Sequence, residues 1–124
     1  MRWIVGGKAA HGRAGRDLRE LSRVPITTVD RLCEQFGYPS HLKIDVEGYE
    51  AAVIRGSRKL LEHFSPLVFL ELHNEVVKEM DGDVAFCLNE LISLNYKIFS
   101  VDGASLTVEG ALRSPICRIL AKRS

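Results

Sequence analysis

Apolar positions along this chain switch between two periods. Leu42-Lys43-Ile44-Asp45-Val46 is a short apolar stretch with a charged end, broken by Gly48, and it reads as a strand. From near Tyr49 the apolar residues Ala52, Val53, Ile54, Leu60, Leu61 and Phe64 fall at helical spacing. Gly56-Ser57 interrupts them, which predicts a kink or two short helices, with Ser57 capping the second. Leu67–His73, after Pro66, is the most hydrophobic run. Its continuity predicts a strand buried on both faces, as in a parallel sheet beneath helices. Asn74 to Asp81 is polar and reads as a loop or partial helix, and Asp83 then caps a helix with Val84, Cys87, Leu88, Leu91 and Ile92 on one face.

Tyr96–Val101 and Cys117–Lys122 read as strands, separated by the Asp102-Gly103 turn and a short hairpin strand, Leu106–Val108. Nearer the N-terminus, Trp3–Val5 reads as a short strand. Val24–Val29 is extended and β-branched, with Pro25 marking a strand start or an edge. Thr28 or Asp30 caps a short helix, Arg31–Phe36, that stops at Gly37. Alternating β and α units imply a parallel sheet sandwiched by helices, and the last two strands, with no helix between them, should run antiparallel. Residues 1–23 read as a basic, weakly structured segment and residues 24–124 as the α/β domain.

Composition places the chain among ordinary globular domains. It has 124 residues, 46% hydrophobic and 27% charged, enough apolar surface to offset chain entropy. No apolar run approaches the ~18 residues of a membrane span, and the N-terminus lacks the apolar core of a signal peptide. A cytoplasmic protein is expected. Cys33, Cys87 and Cys117 are too few and too scattered for a disulfide framework or a zinc site, so they read as buried thiols. The net charge of +1 is unevenly spread: basic over residues 1–24, acidic over 25–90, basic again over 91–124. Arg13, Arg16, Arg19 and Arg23 have no interleaved aromatics and read as a solvated basic segment, so no nucleic-acid partner is expected. Gly6, Gly7, Gly12 and Gly15 match neither a phosphate-binding loop nor a dinucleotide fingerprint.

Candidate chemistry sits in the acidic middle. Ligands in α/β sheets bind beyond the C-terminal ends of the strands. Two predicted strands end in acid, one at Asp45-Val46-Glu47-Gly48 and one at Glu71-Leu72-His73. Glu71 and His73, two apart on a strand, share a face. If the strands are neighbours, Asp45, Glu47, Glu71 and His73 converge on one crevice, and carboxylates with imidazole suit general acid–base work or a divalent metal. Gly48 permits a tight turn that brings backbone close to a ligand. The plainer reading stays open: Asp45 and Glu47 favour a helix N-terminus, and His73 is a hydrogen-bonded strand-end residue.

Three blocks, Val24-Pro25-Ile26-Thr27-Thr28-Val29-Asp30-Arg31-Leu32, Leu42–Gly56 with its Lys43-Ile44-Asp45-Val46-Glu47-Gly48-Tyr49-Glu50 centre, and Pro66-Leu67-Val68-Phe69-Leu70-Glu71, occur in order. Together, over roughly residues 24–73, they closely resemble the FkbM-type S-adenosylmethionine-dependent methyltransferases. The resemblance implies part of a class I methyltransferase (Rossmann-like) α/β sheet, with parallel strands flanked by helices and a C-terminal antiparallel pair. It makes Leu42–Val46 the fourth strand, Leu67–Leu72 the fifth, and Tyr96–Val101 and Cys117–Lys122 the sixth and seventh. It implies S-adenosylmethionine as cofactor, held at Asp45, Glu47 and Gly48. Asp45, Glu71 and His73 are the catalytic candidates, and Asp45 is a metal ligand by analogy with related sugar methyltransferases. The expected activity is O-methyl transfer to a small-molecule or sugar hydroxyl.

The glycine-rich loop and ribose-gripping acid of such a domain have no match before Val24, so the resemblance is to the C-terminal half. The alternative is a non-catalytic module, methyltransferase-derived, that binds or oligomerises. A metal-assisted phosphohydrolase is a weaker third reading. In the complete fold the fourth strand pairs with the first, so one edge of residues 42–46 would lie bare here. Either residues 1–28 fold over it or the chain forms a homodimer through it.

Overall fold

A computed structural model of the chain describes residues 2–6, 25–74 and 84–123, with residues 2–6 described at the level of backbone. The expectations for Gly7, Gly12, Gly15, the arginines 13 to 23, Asp83 and most of the stretch 74–81 lie outside the described residues. Among the described residues five strands form one sheet: β1 (Arg2–Gly6), β2 (His41–Asp45), β3 (Leu67–His73), β4 (Tyr96–Ser100) and β5 (Ile116–Arg123). Their order is β1-β2-β3-β5-β4. β1, β2 and β3 run parallel, and β5 runs antiparallel to both β3 and β4. The helices are α1 (Val29–Phe36), α2 (Glu50–Arg55), α3 (Arg58–His63), α4 (Val84–Ser93) and α5 (Val108–Leu112). None of them is long and apolar enough to cross a membrane.

β1 pairs with β2 from Arg2↔His41 to Gly6↔Asp45. The edge of β2 that the sequence leaves bare is therefore covered by the chain's own residues.

Burial alternates along β2, β3 and most of β5. On one face Leu42, Ile44, Val68, Leu70, Leu72, Ile119 and Ala121 are buried and join Val29, Cys33, Ile54, Leu60, Leu61, Cys87, Leu88 and Leu91 of the helices in a single core. On the other face Asp45, Phe69, Glu71, His73, Phe99 and Leu120 are half-buried, and Lys43 and Arg118 are exposed. The expectation that β3 is buried on both faces, in a sheet sandwiched by helices, is thus corrected among the described residues. The apolar residues at alternate positions, Leu67 and Phe69, are only half-buried. Phe69 sits level with Leu120 of β5, which sits level with Phe99 of β4, so these three form an apolar row across the second face.

Local differences have local causes. Residues 25–28 form no strand, because Thr28 caps α1, its Oγ1 accepting from Arg31 N at 3.2 Å, and the helix begins at Val29. Asp30 caps a different helix. Its carboxylate accepts from Lys59 N and Leu60 N, both at 3.0 Å, at the start of α3. Ser57 makes no cap; its hydroxyl donates to Val53 O at 2.6 Å. A Cβ at Gly56 would stand 3.1 Å from Thr28 Cβ, so the joint between α2 and α3 packs backbone-close against the α1 cap. Leu106–Val108 is not a hairpin strand. A single bridge joins Ser105 to Phe99, and Val108 opens α5 under a Thr107 cap. Ile92 is 44% exposed and leaves the apolar face of α4. Tyr96 is buried, its hydroxyl donates to Pro66 O at 2.9 Å, and burial pushes its pKa up to about 12.

Candidate functional site

Strand parity and pairing bring the predicted acids together. β2 and β3 pair as far as Ile44↔Leu70, which leaves Asp45 and Glu71 as the next residues on adjacent parallel strands. Asp45 falls in the same alternation as the exposed His41 and Lys43, and Glu71 and His73 in the same alternation as Phe69, so all three lie on the less buried face. They meet there. His73 Nε2 lies 3.5 Å from Asp45 Oδ1 and 3.4 Å from Glu71 Oε2. The side chains are 20%, 33% and 14% exposed for His73, Asp45 and Glu71. Asp45 Oδ1 and His73 Nε2 are themselves fully buried and have no hydrogen-bond partner. The exposure of the Asp45 side chain therefore belongs to its other atoms.

A fourth residue orients the cluster. Arg118 of β5 stands directly opposite Glu71 and its Nε donates to Glu71 Oε1 at 2.6 Å. That contact leaves Oε2 as the oxygen facing His73. Sequence reasoning missed Arg118, since only the antiparallel register of β5 on β3 places it, and no local motif marks it. It also missed the structural role of Glu50. This residue is fully buried at the start of α2, and its carboxylate accepts from Gly48 N at 3.0 and 3.2 Å. The clue was its place in the Asp45-Val46-Glu47-Gly48-Tyr49-Glu50 run.

The loop after β2 is tightly wound. Glu47 takes φ 50° and Gly48 φ 115°, both left-handed, which a glycine supplies freely and a glutamate at a cost of about 1 kcal/mol or more. Gly48 is buried and its amide is engaged by Glu50, so the turn closes on its own helix rather than presenting that N–H outward. Glu47 is half-buried and stands outside the Asp45–Glu71–His73 group. Beside the loop, an apolar groove of about 570 Å³ is lined by Pro25, Ile26, Leu32, Tyr49, Ala52 and Val53 among others, and none of the three cluster residues lines it.

The cluster supplies two carboxylates and an imidazole at the C-terminal ends of parallel strands, a set able to accept a proton or ligate a cation. A sequence profile of the methyltransferase FkbM domain matches residues 3–98. The chain belongs to the FkbM methyltransferase family. The match is wider than the three motif blocks, running from Trp3 in β1 to Ile98 in β4, and so takes in all three parallel strands and the cluster. No curated protein and no solved structure is similar enough to the chain to match it. Methyltransferases of this family use S-adenosylmethionine in general.

Proposed function

We propose that this chain transfers a methyl group from S-adenosylmethionine to a hydroxyl of a small-molecule or sugar acceptor. The observation that carries the reading is the convergence of Asp45, Glu71 and His73 on one face at the strand ends. The acceptor oxygen attacks the sulfonium methyl carbon. The C–S bond breaks as the C–O bond forms, S-adenosylhomocysteine leaves, and the hydroxyl proton passes to Asp45. Asp45 is the most exposed of the three, and burial of Oδ1 leaves the rest of its carboxylate to meet the acceptor. His73 and Glu71 position it, with Glu71 in turn held by Arg118. Methyl transfer otherwise asks chiefly for alignment of donor and acceptor. All three cysteines are free and buried, which fits a reducing compartment such as the cytoplasm.

The test is calorimetric titration of the chain with S-adenosylhomocysteine, followed by transfer assays against a panel of hydroxyl acceptors. Micromolar binding is expected. Asp45→Asn should lower transfer by about 10²–10⁴-fold, the usual contribution of a positioned base, with the fold intact by circular dichroism. Absence of binding at an affinity limit of ~1 mM, or ~4 kcal/mol, would overturn the reading and leave a binding module built on the family fold.

A further inference from the structure

We propose that Asp45 Oδ1, Glu71 Oε2 and His73 Nε2 form a three-ligand site for a divalent transition-metal ion of the zinc or manganese class. Three observations support it. The first is spacing. For bonds of about 2.0–2.2 Å, ligand atoms at the tetrahedral angle stand roughly 3.3–3.6 Å apart. His73 Nε2 is 3.5 Å from Asp45 Oδ1 and 3.4 Å from Glu71 Oε2, and all three ligand atoms lie within 4.8 Å of one another. The same distances are long for a hydrogen bond, whose range for N–H···O is about 2.7–3.2 Å.

The second is the orphaned atoms. Buried polar atoms are almost always paired, because leaving one unpaired costs about 1–3 kcal/mol. Asp45 Oδ1 and His73 Nε2 are both buried, neither makes a hydrogen bond, and they stand 3.5 Å apart as an ion pair at most. The third is support from outside the ligand set. Arg118 holds Glu71 Oε1 at 2.6 Å and so fixes the direction of Oε2, as outer partners of metal carboxylates do.

The donor set also selects the ion. One imidazole and two carboxylates suit zinc, manganese or cobalt; calcium and magnesium take oxygen ligands, and no thiol is present for copper(I). Three protein ligands leave coordination positions open, the pattern of catalytic rather than structural sites. The geometry stands without the methyl-transfer reading. What rests on that reading is the ion's use, as a Lewis acid that lowers the pKa of a hydroxyl brought beside Asp45.

The test uses the untagged, chelator-treated chain, with neither methyl donor nor acceptor present. Titration with Co²⁺ should give a visible absorption band that saturates at one equivalent and is displaced by Zn²⁺. Asp45→Asn and His73→Gln should each weaken Co²⁺ binding by at least ~10-fold, since even outer-shell partners are worth 10–100-fold. Should either variant fail to fold, the unaltered chain still decides. Sub-stoichiometric Mn²⁺ should broaden the imidazole proton resonances of His73 ahead of those of His11, His41 and His63. Absence of a cobalt band, a band that persists in both variants, or equal broadening of all four histidines would overturn the site and leave His73 simply seated between two carboxylates. Calorimetry with S-adenosylhomocysteine reports separately on methyl transfer, so one proposal can fail without the other.

Discussion

Asp30 illustrates how little a residue's neighbours in sequence need to do with its work. Its carboxylate sits in the first turn of α1, where it looks like a cap for that helix, yet it accepts from two amides of α3. Thr28 caps α1 in its place. We expect Asp30→Ala to cost about 1 kcal/mol in urea unfolding, the usual loss of an N-cap, and Ser57→Ala to cost less, since Ser57 caps nothing. Tyr96 gives a pH signature. Its ordinary value is 10.0 and burial raises it to about 12, so the unfolded chain ionises first. Its contribution is complete below pH 10, declines as pH rises from 10 to about 12, and is gone above that; the loss amounts to roughly 2–3 kcal/mol. Tyr96→Phe should remove that alkaline slope from the stability profile, at a cost near ~1 kcal/mol at neutral pH from the lost bond to Pro66 O. Asp45, Glu71 and His73 were legible at this scale because each ends or nearly ends an apolar strand, and parity alone aligns Glu71 with His73. Arg118 was not, because its partner Glu71 lies 47 residues away and only strand register joins them.

Among elements, β3 is the most instructive. Its unbroken apolar run suggested burial on both faces, but the structure buries Val68, Leu70 and Leu72 and leaves Leu67 and Phe69 part-covered. Composition could not separate the two cases, because the second face is apolar too: Phe69, Leu120 and Phe99 form a row along it. The two faces should respond differently to truncation. Leu70→Ala should destabilise the chain by about 2–5 kcal/mol as a core cavity, and Phe69→Ala by clearly less than the 3–5 kcal/mol typical of a buried Phe. Chemical denaturation of the two variants reads the difference. Helix and strand types were legible wherever the period was clean, as in α4 and β4. They failed at 25–28 and 106–108, where β-branched residues serve as caps and linkers, and a cap is a property of the helix that follows rather than of the residues themselves.

At the scale of the whole molecule, the parallel half of the sheet is built around β2. It has β1 on one side and β3 on the other. Alternate amides of a strand point to opposite neighbours, so cover on both sides protects all of them. We expect every amide from Leu42 to Asp45 to exchange slowly with solvent. Rapid exchange at alternate positions would mean that β1 does not hold its place in solution. The expectation of a cover from the N-terminal residues followed from the family topology, since an apolar edge next to a central strand is an aggregation hazard. The pairing partner itself was legible in Trp3-Ile4-Val5, a short β-rich stretch, though not its destination.

The seam between β2 and β3 has a consequence for the order in which the molecule assembles. It is a parallel pairing, joined through α2 and α3, and its ladder ends at Ile44↔Leu70, immediately before Asp45 and Glu71. Non-local parallel contacts form slowly, because loop closure is costly before the contact repays it, whereas β4 and β5 pair antiparallel across residues 101–115, a shorter stretch than the 46–66 between β2 and β3. The cluster therefore matures only when this seam has zipped to its last rung. A fluctuation that frays those rungs would part Asp45 from Glu71 and His73 while leaving β3 bound to β5, so the site would be lost well before the domain unfolds.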